Sequence, residues 1–249
     1  MSIDLSPAYF NLQLRFADSI ARVSHFSFEE AILSFTNIYL QCFDRSFDPT
    51  HPAWQTYLEG LHQAPDQAQW TFSLYESRRE AAFPFHRCFQ YAYLPDEQVI
   101  HFHFTNGNVS GYGPLSKERR PARLLELKTM FAEVKQQQPD AKHVQGCSWL
   151  YNLDAYKRLF PPQYTSSMEI VDEEFQFLAL WGQFLQRNGQ IHLPLAHSFL
   201  SSCRPQQTLE GLLRCFPYRV LEPSCAIAVF YEFYESLSLS ERSLSQAEE

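Results

Sequence analysis

The chain reads as a mixed α and β protein, α+β or α/β in class, with a helical front and a mixed-sheet core. Three observations predict this. The first 80 or so residues carry apolar side chains at helical spacing. Near position 83 aromatic and β-branched residues take over in two short runs separated by a turn. From there, strand-like and helix-like segments alternate.

The helical front is expected to pack on the sheet. Leu12, Phe16, Ile20 and Val23 mark a helix over 8–23. Ser27 stands three residues before Glu30, a capping box that opens a second helix running to about Phe43. Asp48-Pro49 breaks the chain. A third helix starts near Thr50 and buries Trp54, Tyr57, Leu58 and Leu61; a fourth runs from Asp66 to the charged Arg78-Arg79-Glu80.

The core begins with runs 85–93 and 98–105, joined by the turn residues Leu94 to Glu97 as a hairpin. A glycine-bearing segment, 106–116, leads to a helix over 122–138 with Leu124, Leu127, Phe131 and Val134 on one face. A buried strand is expected over 144–150, parallel to the strand near Ile100, because a long helix joins the two. Asn152 is expected to cap a short helix ending at Pro161-Pro162. A strand over 165–171 and a helix over 172–187 follow, then helices near 194–202 and 208–216. The apolar run 225–234 fits strand or helix, and the Ser- and Glu-rich tail from Ser236 is expected to fray. The regions are thus 1–82 (helical), 83–190 (α/β core) and 191–249 (mainly helical).

A chain of 249 residues is long enough for a full core without staples. Aromatics make 16% of it, enough to stiffen that core or to line an apolar ligand tunnel. The net charge of −8 speaks against a general nucleic-acid binder and against docking on anionic lipid. No two of the six cysteines are spaced as C-x-x-C, no basic region precedes an apolar stretch at Met1–Leu5, and no apolar run would span a membrane. The expectation is a soluble cytoplasmic protein with six free thiols and no metal.

One signal is concentrated. Only 8 glycines occur, and Gly107, Gly111 and Gly113 fall together between a strand and a long helix. Glycine lets backbone N–H groups approach an anion closely, and a helix N-terminus downstream adds partial positive charge. Lys117, Arg119, Arg120, Arg123 and Lys128 follow at once. Such groups suit a phosphate-bearing ligand; equally, the segment is a loop leading into a solvated helix face.

The run NVSGYG, from Asn108 through Ser110 and Gly111 to Gly113, resembles the Q/R-x-x-G-x-G/A turn of the GNAT acyltransferase superfamily. Asn152-Leu-Asp-Ala155 resembles the family's N-x-x-A helix start, and 107–167, with Gly113-Pro-Leu-Ser116 and Cys147-Ser-Trp149-Leu150-Tyr151, resembles uncharacterised bacterial GNAT-like acyltransferase-associated domains, the resemblance covering about 98–187 in all. The resemblance implies a GNAT-like β-α-β core whose turn holds the pyrophosphate of acyl-coenzyme A through Asn108, Ser110, Gly111 and Gly113. Arg119, Arg120 or Arg123 would then meet further phosphates. Asn108 stands where the family carries Gln or Arg, and Leu159 where it carries a general-acid tyrosine, with Tyr156 nearby.

His101 and His103, two apart on a strand, share a face. One of them would deprotonate an attacking amine, or the pair would ligate a metal lacking a third ligand, or both are plain sheet residues. The expected function is an acyl-CoA-dependent acyltransferase or a degenerate relative. The alternative is a non-catalytic small-ligand-binding or protein-interaction protein that keeps the fold.

Overall fold

A computed structural model describes residues 5–78, 87–105, 111–171, 175–176, 178–186 and 188–245, with the side chains of 178–179 and 238–245 outside the description. Contacts divide the chain into two compact units, 2–83 with 172–219 and 84–171 with 220–249. Residues 191–219 and 220–249 therefore lie in different units.

In the helical unit α1, Pro7–Val23, starts on a proline whose missing N–H costs a first turn nothing. It buries Tyr9, Phe10, Leu12, Phe16 and Ile20. Ser27 and Glu30 form the expected capping box of α2, Phe28–Phe35: the Glu30 N–H donates to Ser27 Oγ at 3.1 Å, and the Ser27 N–H to Glu30 Oε2 at 2.8 Å. The single helix expected through Phe43 is broken. Thr36 Oγ1 donates to the Ile32 carbonyl at 2.6 Å, and the Asn37 N–H donates to Gln13 Oε1 at 2.8 Å. These side-chain bonds replace the helical ladder, and a separate α3, Ile38–Cys42, follows. Helix α4, Pro52–Gln63, buries the four residues expected of it. Helix α5, Gln67–Arg78, lays the Trp70 ring over Gly60, where any Cβ would collide with it.

In the sheet unit β1, Phe89–Leu94, and β2, Val99–Phe104, pair antiparallel as the expected hairpin. Helix α6, Arg120–Gln137, then leads to β3, His143–Gln145, which pairs parallel with β2: Val99 faces His143 and His101 faces Gln145. The predicted β-α-β unit is present. Leu127, Met130, Phe131 and Val134 of α6 share a core with Phe89, Ile100, Phe102 and Val144 of the sheet. The strand expected to Leu150 stops at Gln145. Gly146 sits where a side chain would collide with the Tyr151 and Tyr164 hydroxyls. Ser148 Oγ then accepts the Leu150 N–H at 3.1 Å and opens a 3-10 turn, Trp149–Asn152.

Asn152 does not cap the next helix; its amide donates to the Trp149 carbonyl at 2.7 Å, and Leu153 precedes α7, Asp154–Lys157. Pro162 starts α8, Pro162–Ser166, so the strand expected from Thr165 shrinks to β4, Glu169–Ile170.

Back in the helical unit, the helix expected over 172–187 has residues 172–174, 177 and 187 outside the described set. What is described is α9, Leu178–Trp181, and a 3-10 turn, Gly182–Phe184, after which Leu185 pairs antiparallel with Ile191 around Gly189 at φ 82°. Helices α10, Leu193–Cys203, and α11, Leu209–Leu213, complete the unit, with Phe216 at 4.7 Å from Phe199 and 5.2 Å from both Phe16 and Trp181.

The chain ends in the sheet unit. Strand β5, Leu221–Glu222, pairs β4, and β6, Ser224–Ala226, pairs antiparallel with β3, giving the mixed order β1-β2-β3-β6. Helix α12, Ile227–Ser245, follows directly. The ambiguous run 225–234 is therefore strand turning into helix, and the expected frayed tail is helical to Ser245. Phe230 of α12 packs on Phe131 of α6 at 4.6 Å, and the Tyr234 hydroxyl donates to the Leu159 carbonyl at 2.9 Å. Among the described residues, no helix is long and apolar enough to cross a membrane.

Candidate functional site

The glycine turn enters α6 from the end of β2. Asn108 and Ser110 lie outside the described residues. Gly111 has φ +69°, the left-handed region that side chains resist, and a Cβ there would lie 3.7 Å from Arg119 Nη2. The Arg119 guanidinium thus lies against the turn. Gly113 differs: its φ is not positive, and nothing lies within 4 Å of a Cβ built on it. Between them Tyr112 is 62% exposed.

Beyond the turn, the Ser116 N–H donates to the Gly113 carbonyl at 3.0 Å, and Arg158 Nη2 donates to the Leu115 carbonyl at 2.9 Å. Arg158 ties the turn to the end of α7. It is a cation that sequence reasoning missed, because it arrives through the fold from a distant segment. The pKa of Glu118 is held below the usual carboxylate range, first by its own backbone N–H and then by the Ser116 side chain, with Lys117 and Arg158 contributing charge.

At the start of α6, Arg119 is the N-cap residue and makes no side-chain capping bond; Pro121 lies in the first turn, which holds no acidic residue. Helix N-termini favour negative charge, and here arginines stand where carboxylates usually do. Arg120 is exposed beside Arg119. Arg123 is not available to a ligand. It is 7% exposed; its Nε faces Glu126 Oε2 at 3.2 Å, and its Nη1 meets Cys88 Sγ. Glu126 Oε1 in turn accepts the Phe89 N–H at 2.8 Å. Arg123 is a structural bolt between α6 and the start of β1, so the phosphate role expected of it does not fit its surroundings.

Tyr156 is also in the core rather than at a surface. It is 2% exposed, with Phe160 at 4.9 Å, Tyr151 at 5.0 Å and Phe104 at 5.6 Å. Burial raises its pKa far above the ordinary tyrosine range, partly offset by a hydrogen bond with Tyr151. A phenol so placed does not exchange protons with a solvent-borne substrate.

His101 and His103 lie where strand alternation puts them, on the face opposite the Ile100 and Phe102 side chains that meet α6. Their rings are 4.9 Å apart, with Nδ1 of His101 and Nε2 of His103 separated by 3.4 Å. One bond between two imidazoles requires one N–H and one lone pair, so at least one ring is neutral. Burial pushes His101 below its ordinary range, against the pull of the Glu222 and Glu97 carboxylates. The pair therefore lies on the face of the sheet away from α6, with His101 partly buried and His103 exposed. Among the described residues, no group of three or more His, Cys, Asp or Glu is placed to hold a metal ion.

The structure thus brings Gly111, Arg119 and the N-terminus of α6 together, keeps Gly113 open, and withdraws Arg123 and Tyr156 into packing. Comparison of the chain with protein-family models, with curated proteins and with solved structures finds no match.

Proposed function

We propose that the turn at Gly111 to Gly113 and the first turn of α6 bind the pyrophosphate of an acyl-coenzyme A, on a GNAT-like core, in an acyltransferase or a degenerate relative of one. The observation that carries this reading is the guanidinium of Arg119 against Gly111 at φ +69°, at a helix start without acidic residues. The parallel β2-α6-β3 unit supports it, since such a unit delivers a helix N-terminus to the carboxyl end of a strand. His101, whose pKa burial lowers, is the residue suited to accept the proton of an attacking amine.

A second reading has its own support. With Tyr156 in the core and the histidines on the face away from α6, a non-catalytic protein that binds the ligand without transferring its acyl group fits the same geometry. A thermal-shift screen against coenzyme A, acetyl-CoA and plain nucleotides tests the binding step. Ligand at a hundredfold over Kd raises Tm by about 5–10 °C for a chain of this size. A shift with acetyl-CoA but no acyl transfer to any amine favours the non-catalytic form. No shift with any coenzyme A species removes both.

A further inference from the structure

Within the helical unit, α2 and α11 start on hydroxyl caps: Ser27 Oγ accepts the Glu30 N–H, and Thr208 Oγ1 accepts the Gly211 N–H. Helices α4 and α10 start on histidines instead. His51 Nδ1 accepts the Ala53 N–H at 3.2 Å, and His192 Nδ1 accepts the Leu195 N–H at 3.2 Å. Proline in each first turn, Pro52 and Pro194, removes another of the donors a helix start must satisfy. At α4 the Trp54 and Gln55 N–H groups donate to the His51 carbonyl, at 2.9 and 3.1 Å, which leaves the Ala53 N–H to the ring.

A hydroxyl caps whether the solution is neutral or acid; an imidazole does not. Nδ1 accepts only through its lone pair, so each cap requires the neutral ring with its proton on Nε2. Protonation turns that acceptor into a donor and sets a cation at the positive end of the helix dipole. The two rings have different surroundings. His51 is half-buried; its N–H donates to the Asp48 carbonyl at 3.2 Å, and its ring lies 6.3 Å from that of Phe43, over which the Arg78 guanidinium sits at 4.7 Å. The Asp44 and Asp48 carboxyls are held below their usual range, first by hydrogen bonds from Ser46 and Thr50 respectively, and the charge of His51 contributes to both. His192 is exposed, and its N–H donates to the Phe184 carbonyl at 2.7 Å. The titratable side chains nearest to it along the chain, Arg187 and His197, are each five residues away.

We propose that His51 and His192 are acid-released caps: each imidazole takes up one proton from solvent, lets go of the Ala53 or Leu195 N–H, and opens the first turn of its helix. Asp44 and Asp48 then stabilise the protonated His51, whereas the protonated His192 turns to water. Acid thus loosens the starts of α4 and α10 while the hydroxyl caps of α2 and α11 stay closed.

The experiment is an NMR titration of the full, isotope-labelled chain from about pH 8 to about pH 5, across which imidazoles change charge. The amide signals of Ala53 and Leu195 should move with the same midpoints as the ring carbons of His51 and His192, while those of Glu30 and Gly211 show no such transition. Exchange of the Ala53 and Leu195 amides with solvent, corrected for its intrinsic dependence on pH, should quicken about fivefold, as loss of a typical cap allows. In His51→Asn with His192→Asn, the carboxamide oxygen accepts the same N–H without titrating, so both amides should stay fixed and the double variant should lose less stability to acid than the parent. Ring carbons that titrate while the Ala53 and Leu195 amides stay still overturn the proposal, as does a double variant whose stability falls with pH as steeply as the parent's. The parent titration decides the matter even if the variant fails to fold.

Discussion

Replacing Arg123 separates a structural arginine from a ligand-binding one. Arg123 and Glu126 face each other at 3.2 Å with side chains 9% exposed each, and Glu126 also accepts the Phe89 N–H at 2.8 Å. Removing the guanidinium leaves a carboxylate in a site that gives it one backbone donor and little water. Breaking one side of such a buried pair costs about 3–5 kcal/mol, or about 6–20 °C in Tm at this chain length. Arg123→Ala should therefore melt far below the parent. Converting both partners, Arg123→Met with Glu126→Leu, removes the stranded charge and leaves only the Phe89 N–H without its acceptor. That double change should cost about 1–3 kcal/mol, less than the single one. Arg119→Ala and Arg120→Ala, at the less buried start of the helix, should stay within about 0.5 kcal/mol of the parent. Urea titrations of the four variants read all of this directly. An Arg123→Ala protein that melts with the parent yet loses ligand affinity would refute the reasoning and return Arg123 to the binding site.

Two further expectations concern the turn and the histidine pair. Gly111→Ala should lose about 1–2 kcal/mol because it forces a Cβ to φ +69°, whereas Gly113→Ala, with an ordinary φ and open space around it, should be neutral or stabilising by up to about 1 kcal/mol; equal melting of the two would contradict the assignment. His101 has a folded pKa below its unfolded value of about 6.5, so the unfolded chain binds more protons in that window. The contribution of His101 is then complete above about pH 6.5 and is lost as pH falls. His101→Gln should flatten the stability profile just below that pH, and an unchanged slope would discount the burial of His101.

Much of the fold was legible because its signals are local. The Ser27–Glu30 box, the apolar stripe of α4 and the turn between β1 and β2 are each written within a few residues. The parallel pairing of β2 and β3 followed from the length of the helix between them. What failed depended on distant partners. Asn37 leaves the helical ladder for Gln13, and the space a side chain at position 146 would need, just after β3, is taken by the Tyr151 and Tyr164 hydroxyls. For the candidate site, spacing found the turn and the arginines but not their orientation. Arg119 and Arg123 are one helical turn apart, and spacing does not show that Arg123 is the one buried, against Cys88 just before β1 and Glu126 of its own helix.

Calorimetric titration of coenzyme A into the folded parent and into the Arg119→Ala, Arg120→Ala double variant, at two salt concentrations, tests the proposed site most directly. Charge-assisted contacts contribute about 1.5–3 kcal/mol each, so the double variant should bind at least about a hundredfold more weakly, with a flatter salt dependence and an unchanged melting curve. A parent that binds no coenzyme A at millimolar ligand, or a double variant that binds as the parent does, would contradict a pyrophosphate site at this turn.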